Sequence, residues 1–194
     1  ILRQPSGCQS IPGVEYRALE VGGKPTDRPA EQHADLNLAL RGYAPTTAYL
    51  GLVDYGGNDD SRAPQLRTLF ANGRVPAFSR AYRVYDWDWD CNCRAGLLTY
   101  PEVTLVGMAA TPGEVLRLPD SGYDIGSGFE ALVLYAAADR ITVKYTRDDN
   151  VVKGYTIHVE GVCVEPRLMA PYREQNAAGR GRLPALRGLQ PFGR

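Results

Sequence analysis

Glu130–Ala137 (EALVLYAA), Arg140–Thr146 (RITVKYT) and Tyr155–Val164 (YTIHVEGVCV) decide how the chain is read. Each is short and rich in β-branched or aromatic residues, and only the turns 138–139 and 147–154 separate them. That pattern predicts three consecutive antiparallel strands, a meander. Successive side chains of a strand point to opposite faces. Ile141, Val143 and Tyr145 therefore share a face of the middle strand. On the third, Tyr155, Ile157 and Val159 face one way and Thr156, His158 and Glu160 the other. Pro166–Ala178 fits a helix with proline in its first turn, Leu168, Met169 and Tyr172 as its apolar side, and Gly179 as its stop.

Outward from this meander the chain stays β-like and rich in turns. Glu15–Val21 reads as a strand ended by Gly22-Gly23. Asp35–Arg41 (DLNLALR) has leucine at every second position, which predicts another strand. Ala48–Tyr55 reads as a strand closed by Gly56–Asp60, and Ala77–Trp89 as a long one. Val103–Ala110 and Glu114–Leu118 flank a break at Thr111-Pro112-Gly113. Pro64–Ala71 has Leu66, Leu69 and Phe70 at helical spacing with Gly73 just beyond, a second short helix. The expected fold class is mainly β: antiparallel sheets, as a sandwich or a partly open barrel-like arrangement, with two short helices. The expected organisation is an extended arm over 1–13, a single β-rich domain over 14–178, and a solvated, arginine-rich tail over 179–194.

The 194 residues form a chain long enough for a real core, with 44% hydrophobic and 23% charged residues. Lys+Arg and Asp+Glu are 22 each, so no net field draws in nucleic acid or an anionic membrane surface. No apolar run is long enough to span a bilayer. Four cysteines, Cys8, Cys91, Cys93 and Cys163, suit two disulfides in an oxidising, extracellular compartment. Residues two apart in a strand lie about 7 Å apart, so direct Cys91–Cys93 pairing is the least expected connectivity. Cys8 and Cys163 are each expected to pair with one of that couple; four buried free thiols are the alternative.

The stretch Tyr85-Asp86-Trp87-Asp88-Trp89-Asp90 holds both tryptophans. In a strand Tyr85, Trp87 and Trp89 share one face, where aromatic rings can stack on the C–H faces of sugars. The same rings would equally serve as core filling. On the other face Asp86, Asp88 and Asp90 have the oxygen chemistry for a structural calcium. An EF-hand, however, needs glycine where Cys91 stands and glutamate where Leu97 stands. The two histidines, His33 and His158, occur in neither an H-E-x-x-H nor an H-x-H motif, and no serine lies in a G-x-S-x-G context. The expectation is a protein that is not an enzyme and holds no cofactor or metal. His33, Asp35, Asp86, Asp88 and Asp90 are the residues that would carry an ion, and His158 the residue that would remain of a catalytic set.

Ser121-Gly122-Tyr123, Ala131–Tyr135, Gly154–Val159 (GYTIHV) and Leu183–Gly193 (LPALRGLQPFG), preceded by Pro112–Val115, resemble the second half of lysostaphin-like zinc endopeptidases, the bacterial peptidoglycan hydrolases. In that family a histidine in the position of His158 is catalytic. Gln32–Leu36 is similar to the family's first zinc motif, H-x3-D, with Asn37 where the aspartate would stand. The family's final H-x-H is not among these residues. The resemblance implies a degenerate lysostaphin-like scaffold in a bacterial, extracellular setting. Three functions follow. The first is a secreted, non-catalytic domain that binds glycan or cell-wall polymer through Tyr85, Trp87 and Trp89. The second is a structural subunit that assembles with copies of itself by donating a strand from an arm. The third is a zinc peptidase whose last motif lies outside this stretch, with His33 and Asp35 or Asn37 as ligands.

Overall fold

The computed structural model describes residues 8–23, 26–47, 60, 62–100 and 104–194. The strand expected over Ala48–Tyr55 lies outside them. Eleven strands and one α-helix are formed among the described residues, with three isolated 3-10 turns. The meander is present as expected: β7 (Ala131–Ala137), β8 (Arg140–Lys144) and β9 (Thr156–Glu160) pair in sequence order. They belong to a five-stranded antiparallel sheet completed by β1 (Arg17–Glu20) and β10 (Arg182–Leu186), in the order β1-β10-β7-β8-β9. A second antiparallel sheet is built on the 11-residue β3 (Phe78–Asp88). Its first part lies between β2 (Tyr43–Thr46) and β5 (Thr104–Met108), and its end pairs with β4 (Cys93–Leu97). A small ribbon joins β6 (Leu116–Arg117) to β11 (Pro191–Gly193). Among the described residues no sheet closes into a barrel.

The five-stranded sheet is covered on both faces. On one, the Thr142 hydroxyl donates to the Leu36 carbonyl at 2.5 Å. On the other, the Tyr145 hydroxyl donates to the Pro119 carbonyl at 2.6 Å. Six successive residues of β7, Ala131–Ala136, are consequently buried, which accounts for the continuous apolar run. Helix α1 (Pro166–Ala177) packs Leu168, Met169 and Tyr172 against β7 and β10. Its N-cap is the buried Glu165, which accepts from the Arg167 N–H at 3.1 Å and the Ile11 N–H at 2.6 Å. Just past Gly179, Arg180 turns inward to a buried ion pair with Asp149 at 2.6 Å and donates to the Leu134 carbonyl at 2.7 Å.

Several expectations are corrected. Asp35–Arg41 is not a strand: it runs as turns and one 3-10 turn at Leu38–Leu40, and its leucine repeat arises because Leu36 and Leu38 are both buried under the covered sheet. The second helix, at Pro64–Ala71, shrinks to a 3-10 turn at Leu66–Thr68. Residues 179–194 are not a solvated tail, since they supply β10, inside the large sheet, and β11. Residues 8–13 are no free arm either, because Cys8 is bonded to Cys163 and Ile11 is buried. The second disulfide joins Cys91 to Cys93, the pairing least expected. Cys91 and Asn92 form a tight turn and Cys93 opens β4, so the two do not sit along one strand: Asn92 has φ 52°, which brings the flanking Cα atoms to 5.3 Å.

Candidate binding surface at the β3–β4 hairpin

The hairpin tip carries the Tyr-Asp-Trp repeat, and it breaks the period-two alternation. The β3–β4 register shifts between Tyr85 and Trp87, and β3 ends at Asp88. A bulge of this kind re-aims the side chains beyond it. Trp87 is buried, Tyr85 is half-buried under the Arg94 guanidinium, and Trp89 lies in the turn with 39% of its surface exposed. The three rings thus form no common stacking row. The carboxylates are dispersed as well. Asp88 accepts the N–H groups of Asp90 and Cys91 at 2.9 and 3.3 Å and so caps the turn. Asp86 lies 3.6 Å from Arg41.

The segment 26–41 folds up against Trp89. The Arg28 guanidinium lies 4.8 Å from the ring centroid and that of Arg41 5.9 Å, while the His33 ring meets it edge-on at 5.1 Å. Cations are drawn to the electron-rich face of an indole. Each is also fixed from outside the ring. Arg28 is paired with Asp27 at 2.9 Å and donates to the Asn92 side chain at 2.7 Å. The same Asn92 oxygen accepts from the Trp87 indole at 3.2 Å. Arg41, itself buried, is paired with Asp35 at 2.6 Å and donates to the Tyr85 carbonyl at 3.2 Å. Gly42 follows with φ +66°, and a Cβ there would strike the Arg94 guanidinium, so this backbone path needs glycine.

The two histidines sit at the base of this segment. His33 Nδ1 accepts the Asp35 N–H at 3.2 Å, and its Nε2 lies 3.6 Å from Asp27. Burial pushes its pKa down, against the opposing pull of Asp35 and Asp27. His158 Nδ1 is 2.9 Å from Thr142 Oγ1. Because the Thr142 hydroxyl proton is already given to Leu36, the imidazole is the donor in this contact. Burial pushes the His158 pKa down to about 4. Both imidazoles feel the charge of Asp35.

These donors do not fit a zinc ion. Asp35 is committed to Arg41, His33 Nδ1 to a backbone N–H, and His158 Nδ1 to Thr142. Asn37, the stand-in for the metal-binding aspartate, donates to the Glu31 carbonyl and accepts from Arg140. Among the described residues no three His, Cys, Asp or Glu side chains converge on one point. Sequence reasoning missed Arg28, Arg41 and Asn92. Arg28 and Asn92 are 64 positions apart, and no local pattern connects them. No protein-family model matches the chain, and neither a curated protein nor a solved structure matches it.

Proposed function

We propose that this chain is an extracellular, non-catalytic binding domain that holds glycan or cell-wall polymer at Trp89, on a degenerate lysostaphin-like scaffold. The observation that carries the reading is a single exposed indole ringed by planar polar side chains. An indole stacks on a sugar ring, and neighbouring guanidinium and amide groups take its hydroxyls and carboxylates. Arg28, Arg41 and Asn92 surround the ring with groups of that kind, each held in place by its own partner in the chain, so the indole is presented in a fixed polar frame. Two disulfides are compatible with an oxidising location, and no helix among the described residues is long and apolar enough to cross a membrane. Tyr85 and Trp87, buried wholly or in part, support the hairpin and leave the contact to Trp89.

The test is co-sedimentation with insoluble peptidoglycan, chitin and cellulose, followed by calorimetry with soluble fragments. Retention on at least one polymer is expected, with a loss of tenfold or more in Trp89→Ala and an unchanged melting temperature. Retention that survives Trp89→Ala, or no retention on any polymer, overturns the proposal.

A further inference from the structure

A second surface, sharing no residue with the hairpin site, lies beside the β6–β11 ribbon. It is an open groove of about 310 Å³ lined by Phe70, Val75, Arg67, Arg117 and Leu189, with Thr68, Ala71 and Gly73 filling its sides. Its charge is one-sided: two arginines and no carboxylate. Near Phe70 a third arginine, Arg74, lies over the ring at 3.6 Å and is held by Glu114 at 2.5 Å. Arg67 and Arg117 have no such partner among the described residues, and the Arg117 Nε is buried without an acceptor. A guanidinium left unpaired beside a buried ring is a ready receptor for a carboxylate.

The rim gives an independent indication. Val75 is 76% exposed and Leu189 is 43% exposed. Leu189 also has φ 62°, in the left-handed region that a bulky residue rarely adopts. Its turn is fixed by its own N–H, which donates to the Leu118 carbonyl, and by the Gln190 N–H, which donates to Arg187. Glycine or asparagine would sit there at lower cost. The leucine adds nothing to the core, and its side chain projects at the groove. Strain kept at a surface position indicates a contact made outside the fold.

We infer that this groove binds an extended acidic peptide, a carboxylate bridging Arg67 and Arg117 while a neighbouring aliphatic side chain covers Val75 and Leu189. The apolar rim and the openness suit a chain segment rather than an enclosed small molecule. Strand addition is not the mode, because β6 is flanked on one side by β11 and on the other by the 69–71 segment.

Fluorescence polarisation with a labelled nonapeptide of alternating glutamate and leucine tests this in the whole chain. Saturable binding is expected, weakened tenfold or more by Arg67→Gln or Arg117→Gln and by replacing the peptide's glutamates with glutamine. Leu189→Gly is the decisive variant: it should raise the melting temperature by relieving the turn while weakening the peptide several-fold, a combination that misfolding cannot produce. Binding that ignores the arginine variants, an unchanged affinity in Leu189→Gly, or competition by octanoate at the same concentration as the peptide would each overturn the inference. The octanoate result would assign the groove to small carboxylates.

Discussion

Arg180 and Asp149 are 5% and 1% exposed, and each is the other's charge partner. Breaking a buried pair by removing one member strands the other charge, at about 3–5 kcal/mol. Arg180→Ala should therefore lower the unfolding free energy by that amount in urea titration, and a loss below about 1 kcal/mol would contradict the burial. His158 makes a pH-dependent statement. Its pKa is near 4 in the folded chain, against about 6.5 when unfolded. Between those values the unfolded chain takes up a proton that the folded chain refuses. Stability is therefore full above about pH 6.5, declines as pH falls toward 4, and declines no further through this group below it. The slope is at most about 1.4 kcal/mol per pH unit. His33 acts in the same direction. Urea midpoints at pH 4.5 and 7 should differ in wild type and differ less in His158→Gln. At this scale the sequence was legible in part. The Tyr85, Trp87 and Trp89 rings could be singled out together as candidates for exposure, but the bulge that leaves Trp89 exposed and Trp87 buried depends on how β4 pairs, which no spacing within the repeat encodes.

β10 shows how an element can escape notice. Leu183–Leu186 are all buried, so no alternation marks them as a strand, and Pro184 argues against an interior position. The proline is tolerated because β10 meets β7 only through Ala185 and Leu186, while Pro184 lies opposite Ala18 of β1. Leu183→Ala should cost about 2–5 kcal/mol, as for a fully buried leucine, measured by chemical denaturation. A solvated tail would have made the same change silent. The meander could be read because apolar and polar residue types still alternate along β8 and β9, even though both faces of β8 are buried. Asp35–Arg41 was misread because a segment pressed against a covered sheet buries leucines in any backbone conformation.

Across the whole molecule the two disulfides have unequal weight. The Cys8–Cys163 bond closes a separation of 155 residues and the Cys91–Cys93 bond a separation of 2. Chain-entropy arguments give roughly 5 kcal/mol for the first and about 1 kcal/mol for the second. Replacing Cys8 and Cys163 together by serine should lower the melting temperature far more than replacing Cys91 and Cys93, and calorimetry on both double variants checks the order. An even cysteine count allowed two bonds to be foreseen; the pairing depended on a turn at Asn92 and on where residues 8–13 lie.

The placement of β10 between β1 and β7 also governs how the protein is made. Arg182 of β10 donates to the Ala18 carbonyl of β1 across 164 positions of chain. A polypeptide that leaves the ribosome amino end first exposes β1 long before β10, its ladder partner among the described residues, is synthesised. Contacts this remote slow folding. A chaperone that shields the unpaired β1 during synthesis would raise the yield of this protein more than one acting after release.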